Sequence, residues 1–126
     1  MSVLFDNHGQ ALNDLGRRIH HDERKKWWVD LETGVSLKRN VGEMLCLVHS
    51  EISEAMEGHR KCLMDSHLPH RPQIEVELAD AIIRILDIGA GLKLDIGGAV
   101  EDKTAYNRLR ADHSREVRMA EGGKSY

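Results

Sequence analysis

Cysteine, proline and aromatic residues are all scarce in this chain, and so is any excess of positive charge. Two cysteines, Cys46 and Cys62, are too few for a disulfide framework and match neither a CxxC pair nor a zinc-ligand spacing, so both are expected as reduced, partly buried thiols. Lysine and arginine together number 18 against 21 aspartates and glutamates, giving a net charge of -3. That balance supplies no basic field for a duplex or a single strand, which excludes polymeric nucleic acid as the expected partner but leaves a single nucleotide open. No apolar run reaches membrane-spanning length, and the start, Met1-Ser2-Val3-Leu4-Phe5, lacks the basic and long apolar regions of a signal peptide. The expected compartment is therefore the cytoplasm, with no membrane partner.

What is present is a soluble, charged, helical pattern. With 40% hydrophobic and 31% charged residues over 126 positions, the chain suits one domain that buries a moderate core and gains from oligomerisation. Leu12, Leu15 and Ile19 place a first helix between Asn7 and about Trp28, ending on both tryptophans of the chain. Trp27 and Trp28 suit either of two roles, a packing anchor or a flat wall that stacks a base. His20-His21-Asp22 reads as a solvated face, because adjacent helix residues diverge by about 100° and chelate poorly together.

Asn40 reads as the cap of a second helix, with Glu43 in the capping-box position. Behind it Val41, Met44, Leu45, Val48, Ile52, Ala55 and Met56 form an apolar stripe, expected to be the core face of a central helix. Gly58 to Pro72 is a break that carries both prolines together with His59, His67 and His70, long enough to serve as a lid or a subunit contact. A third helix is expected from about Gln73 to Ile88, with Ile74, Leu78, Ala81, Ile82, Ile85 and Ile88 as its apolar stripe and Gly89 and Gly91 ending it. Asp95 can cap a fourth helix to about Leu109, in which Lys103 and Asn107 share a face and Arg108 follows. Residues 110–126 read as a flexible or partner-ordered tail. The fold expected is an all-α, four-helix-bundle-like single domain over residues 1–126 that oligomerises through its helices.

The chemistry lies in two acid pairs. Glu51 and Glu54, then Glu77 and Asp80, each place carboxylates three residues apart beside an apolar stripe, on one helix face. Of the four, only Asp80 has a base four residues on, Arg84; Glu51, Glu54 and Glu77 are followed there by Ala55, Gly58 and Ala81. Clustered acids without offsetting bases repel one another unless a cation sits among them. Inward acids from facing helices are an established way to build such a site, and an all-oxygen set suits Mg²⁺, with Mn²⁺ as a substitute, over zinc. Any of the acids could take a proton from water; Glu54, farthest round the wheel from the apolar stripe, is the candidate general base.

The run from Ser50 to Gly58, with Glu77-Leu78-Ala79-Asp80 and Lys103 to Arg110 downstream, resembles the MazG-like nucleotide pyrophosphohydrolases of the all-alpha NTP pyrophosphatase superfamily. The resemblance implies a homodimer or homotetramer in which Glu51, Glu54, Glu77 and Asp80 hold Mg²⁺. It implies hydrolysis of a nucleoside triphosphate to the monophosphate and pyrophosphate, with Lys103, Asn107 and Arg108 on phosphate or sugar. Trp27, Trp28 and the 63–72 loop are where base preference would be set. Enzymes preferring dUTP or dCTP, and phosphoribosyl-ATP pyrophosphatases, share this metal chemistry and remain alternatives. So does a non-catalytic helical module that uses its acids only to hold metal or bind a basic partner, although such a module has no need of Lys103 and Asn107.

Overall fold

A computed structural model describes residues 7–119, and among them there are four helices and no strand beyond two isolated bridges. The helices are α1 (His8–Trp27), α2 (Val41–Arg60), α3 (Gln73–Gly91) and α4 (Ile96–Met119). No helix among the described residues is long and apolar enough to cross a membrane. The small all-helical bundle expected from periodicity is present. Its centre is α3, which packs against α2 on one side and α1 on the other, while α4 lies against α1. The expectation that α2 would be the central helix is corrected by that arrangement.

Two of the expected caps form. Asn40 Oδ1 accepts the Glu43 backbone N–H at 3.1 Å, and Asp95 Oδ1 accepts that of Gly98 at 2.9 Å, so each satisfies a donor orphaned by the start of a helix. α4 continues to Met119, a further ten residues beyond Leu109. Residues 120–126, the end of the expected tail, lie outside the described residues.

Gly89 and Gly91 do not stop α3 at Ile88. The helix runs through Gly89 and ends with Gly91 as its last residue, and both glycines are points of close packing. A Cβ on Gly89 would stand 2.5 Å from Ile96 Cγ1, and one on Gly91 would enter the Trp28 indole. The chain reverses instead at Lys93, which takes a left-handed φ of 58°.

The long apolar stripes divide into two arcs. On α2 Met44 and Ala55 are buried, whereas Val41, Leu45, Ile52 and Met56 are exposed; on α3 Ala81, Leu86 and Ile88 are buried, whereas Leu78, Ile82 and Ile85 are exposed. A neighbouring helix covers only part of a broad apolar arc, and in a single chain nothing covers the remainder. Cys46 and Cys62 are also exposed, which corrects the expectation of partial burial. Cys46 lies off the covered arc of α2, and Cys62 sits in the turn after that helix with φ of 53°.

The packing role of Gly89 fixes the sign of a mutation. Ala is favoured over Gly in an exposed helix by about 1 kcal/mol. Gly89→Ala is nevertheless expected to destabilise by about 1–3 kcal/mol in urea denaturation, the usual cost of forcing volume into a packed contact. A stabilised variant would show that Ile96 does not press on this position.

Candidate metal centre

α2 and α3 run antiparallel, with Gly58 against Gln73 at one end and Glu51 opposite Arg84 farther along. Absence of a side chain at Gly58 lets Gln73 approach, and Gln73 Nε2 donates to the Glu54 carbonyl at 3.0 Å. This crossing brings the two acid pairs together. One carboxylate oxygen from each of Glu51, Glu77 and Asp80 lies within 4.8 Å of the others, a spacing that one cation could bridge. Glu51 is 8% exposed, while Glu54 is exposed and stands outside this trio.

The electrostatics follow from burial of like charges. Glu77 is pushed up to about 8, first by burial, then by hydrogen bonds to Glu51 and Glu54 that favour its protonated form, and then by their charges. Its Oε2 is buried and has no hydrogen-bond partner among the described residues. Asp80 is raised by burial and by the charge of Glu51, against an opposing pull from Arg84, with smaller contributions from Asp65 and Glu54. An oxygen-only donor set with one orphaned atom has the composition of a site for a hard cation.

Arg84 departs from the sequence-based expectation. Helical spacing pairs it with Asp80, but its Nε donates across the helix gap to Glu51 Oε1 at 2.8 Å. Glu51 is therefore not uncompensated, and Arg84 was the base that spacing alone misassigned. Only acids and bases on the same helix can be matched from spacing; this pair forms between helices, at positions 33 residues apart.

Beside the trio opens a cavity of about 210 Å³, into which Glu51, Asp80 and Arg84 face along with Trp27, Glu23 and Arg39. Met44, Leu47, Ile83 and Ile88 supply its apolar lining. The two tryptophans hold different places. Trp28 is the anchor: its indole N–H donates to Asp87 Oδ2 at 2.9 Å, while His20 Nδ1 lies 2.8 Å from Asp87 Oδ1. Asp87 is 8% exposed, so these two contacts satisfy a carboxylate that would be costly to bury alone. Trp27 is the wall: its N–H donates to Glu23 at 2.9 Å, and the Arg39 and Arg84 guanidiniums lie 5.8 and 6.0 Å from its ring centre. Arg39 is tied to the same place by a 2.8 Å bond to the Trp27 carbonyl.

The remaining sequence candidates lie elsewhere. Lys103, Asn107 and Arg108 are exposed on α4, with Lys103 Nζ 4.6 Å from the Tyr106 ring centre, and none lines the cavity of its own chain. His67 and His70 are exposed in the 61–72 connection. The ordered group there is Asp65, whose Oδ2 accepts the His67 and Leu68 backbone N–H groups at 2.9 and 2.8 Å. Comparison with protein-family models, curated proteins and solved structures finds no match to this chain.

The raised Glu77 sets a pH dependence. Its native carboxyl keeps a proton that the unfolded chain loses near 4.5, so the native state binds more protons in between. Stability of the metal-free protein is expected to fall as pH rises from about 4.5 to about 8 and to level off above that. Urea midpoints across this window would show the fall, and Glu77→Gln would flatten it. A midpoint that rises with pH through the window, or a Glu77→Gln profile like that of the wild type, would contradict the assignment.

Proposed function

We propose that this chain is a Mg²⁺-dependent nucleoside triphosphate pyrophosphohydrolase of the MazG-like kind, clearing modified or surplus nucleotides in the cytoplasm. The observation that carries the reading is the junction of two features: three carboxylates converge, Glu77 with an orphaned buried oxygen, and two of them, Glu51 and Asp80, line a cavity that Trp27 also lines. The carboxylates suit a hard cation, and an indole wall with aliphatic neighbours suits a flat heterocycle. A nucleoside polyphosphate joins those two chemistries in one ligand.

In this reading Glu51, Glu77 and Asp80 hold the cation, with Glu54 at the exposed edge of the group. When bound, Mg²⁺ neutralises phosphate charge and lowers the pKa of a coordinated water. Glu54, the acid outside the trio, takes the proton from the attacking water, which places new oxygen on the phosphorus next to the sugar and expels pyrophosphate. Glu77 must lose its own proton before it can act as a ligand, so cation binding releases that proton. Trp27 stacks the base, and Arg39 braces the indole from the side of the chain connection. A panel of nucleoside triphosphates assayed for pyrophosphate release, with and without Mg²⁺, tests the activity. Release of pyrophosphate with a matching monophosphate is expected, and at least about a hundredfold loss in Glu51→Gln and Asp80→Asn with helical circular dichroism retained. Folded, metal-loaded protein that turns over nothing in the panel would refute the reading.

The working form proposed is a homo-oligomer, dimer or tetramer. Its support is the row Val41, Leu45, Ile52 and Met56 on α2 beside Leu78, Ile82 and Ile85 on α3, all exposed in the single chain. Apolar rows of this size on adjoining helices suit a second copy. A second copy also offers a route for Lys103, Asn107 and Arg108 to reach a site that their own chain does not bring them to. Light scattering should give a mass at least twice that of one chain, and Ile82→Lys should reduce it; a wild-type monomer at working concentration would contradict the proposal.

A further inference from the structure

Arg84 sits between the acid trio and the aromatic wall. Its Nε donates to Glu51 Oε1 at 2.8 Å, its guanidinium carbon lies 6.0 Å from the Trp27 ring centre, and the residue lines the cavity. Glu51 is thus committed twice: it is one of the three carboxylates that converge within 4.8 Å, and it is the acceptor of a guanidinium. A dication and a guanidinium sharing one carboxylate stand within about 5 Å of each other, where their repulsion is several times thermal energy even at an effective dielectric of about 20. The two cations therefore compete for Glu51. The side chain of Arg84 is 31% exposed, so it has room to move, and the cavity with the Trp27 face lies next to it.

We propose that Arg84 is a resident counter-ion that holds Glu51 in the metal-free protein and is displaced into the Trp27-walled cavity when a divalent cation takes the carboxylates. The inference rests on the cation site of the preceding section but not on the hydrolysis proposed there. Arg84 is a positioning residue here. It limits the mutual repulsion of Glu51 and Asp80 while no metal is bound, and it lowers the affinity of the bare site for cations. It also links metal occupancy to the wall on which the base would stack. A residue that only supported Glu51 in its binding rotamer would do the reverse and raise metal affinity.

The test is Mg²⁺ titration of the nucleotide-free protein, followed by the ¹⁵N–¹H signals of the Arg84 Nε–H, the Trp27 indole N–H and the backbone amides. Mg²⁺ is expected to shift the amides of Glu51, Glu77 and Asp80, with the Arg84 Nε–H and Trp27 signals moving in the same titration. Calorimetry on Arg84→Gln, or on Arg84→Met, which keeps an apolar stem in place, is expected to show Mg²⁺ bound at least about fivefold more tightly than by the wild type. Amide shifts with an unmoved Arg84 Nε–H, or a variant that binds Mg²⁺ equally or more weakly, would overturn the counter-ion role while leaving the cation site standing. Absence of any amide shift would overturn the cation site and this inference together. The wild-type spectra need no variant, so the outcome does not depend on whether either substitution folds.

Discussion

The burial of like charge between α2 and α3 is the constraint on which this molecule turns. Glu51, Glu77 and Asp80 are brought within 4.8 Å by helices that must pack to make a core, and the Arg84 guanidinium on α3 answers Glu51 across the gap. The consequence is seen in Glu77, whose proton is held to about pH 8 and whose Oε2 has no partner among the described residues. A chain selected for stability alone has cheaper solutions, since apolar residues of similar volume often replace buried charge without loss. The presence of the acids at this crossing is accounted for if they serve a charged ligand.

The rest of the bundle keeps that strained region in place. α3 is gripped on its other side through Asp87, which accepts the Trp28 indole N–H and faces His20, so α1 is pinned to the same helix that carries two of the acids. Gly91 admits the Trp28 ring close to the α3 backbone, and Gly89 admits Ile96 as the chain turns into α4. With Trp28 fixed, its neighbour Trp27 lines the cavity beside the carboxylates, and Arg39 holds it by its carbonyl and its face. Cavity wall and acid cluster thus share one anchor, although the residues concerned come from three helices and a connection.

Much of the fold was legible because its signals are local. Helix positions follow from apolar period, and the caps Asn40 and Asp95 were readable from one residue each. The sequence placed four acids together, of which the structure groups Glu51, Glu77 and Asp80 and leaves Glu54 exposed outside them. What could not be read were relations between helices. Arg84 seemed assigned to Asp80 by spacing, yet it bonds to Glu51, and Asp87 is the buried node between α1 and α3 only through contacts from outside its own helix. Period also showed where apolar arcs lie on α2 and α3 but not which part a neighbour covers, so half of each stripe assigned to the core is exposed. Asp65, Arg39 and Glu23 carried no pattern at all; the path of the connections brings the first two near the site, and the packing of α1 brings Glu23.

These relations make the cation the centre of the account. If a divalent ion sits among the trio, then the proton on Glu77, the Arg84 pair and the position of Trp27 are parts of one charge-balanced arrangement; if none does, they are unrelated. The most direct measurement is an anomalous difference map from crystals grown with Mn²⁺. The account predicts a peak coordinated by carboxylate oxygens of Glu51, Glu77 and Asp80 at about 2.0–2.2 Å, the range of a small hard dication. Crystals that contain Mn²⁺ elsewhere but show no peak among these three side chains would contradict it.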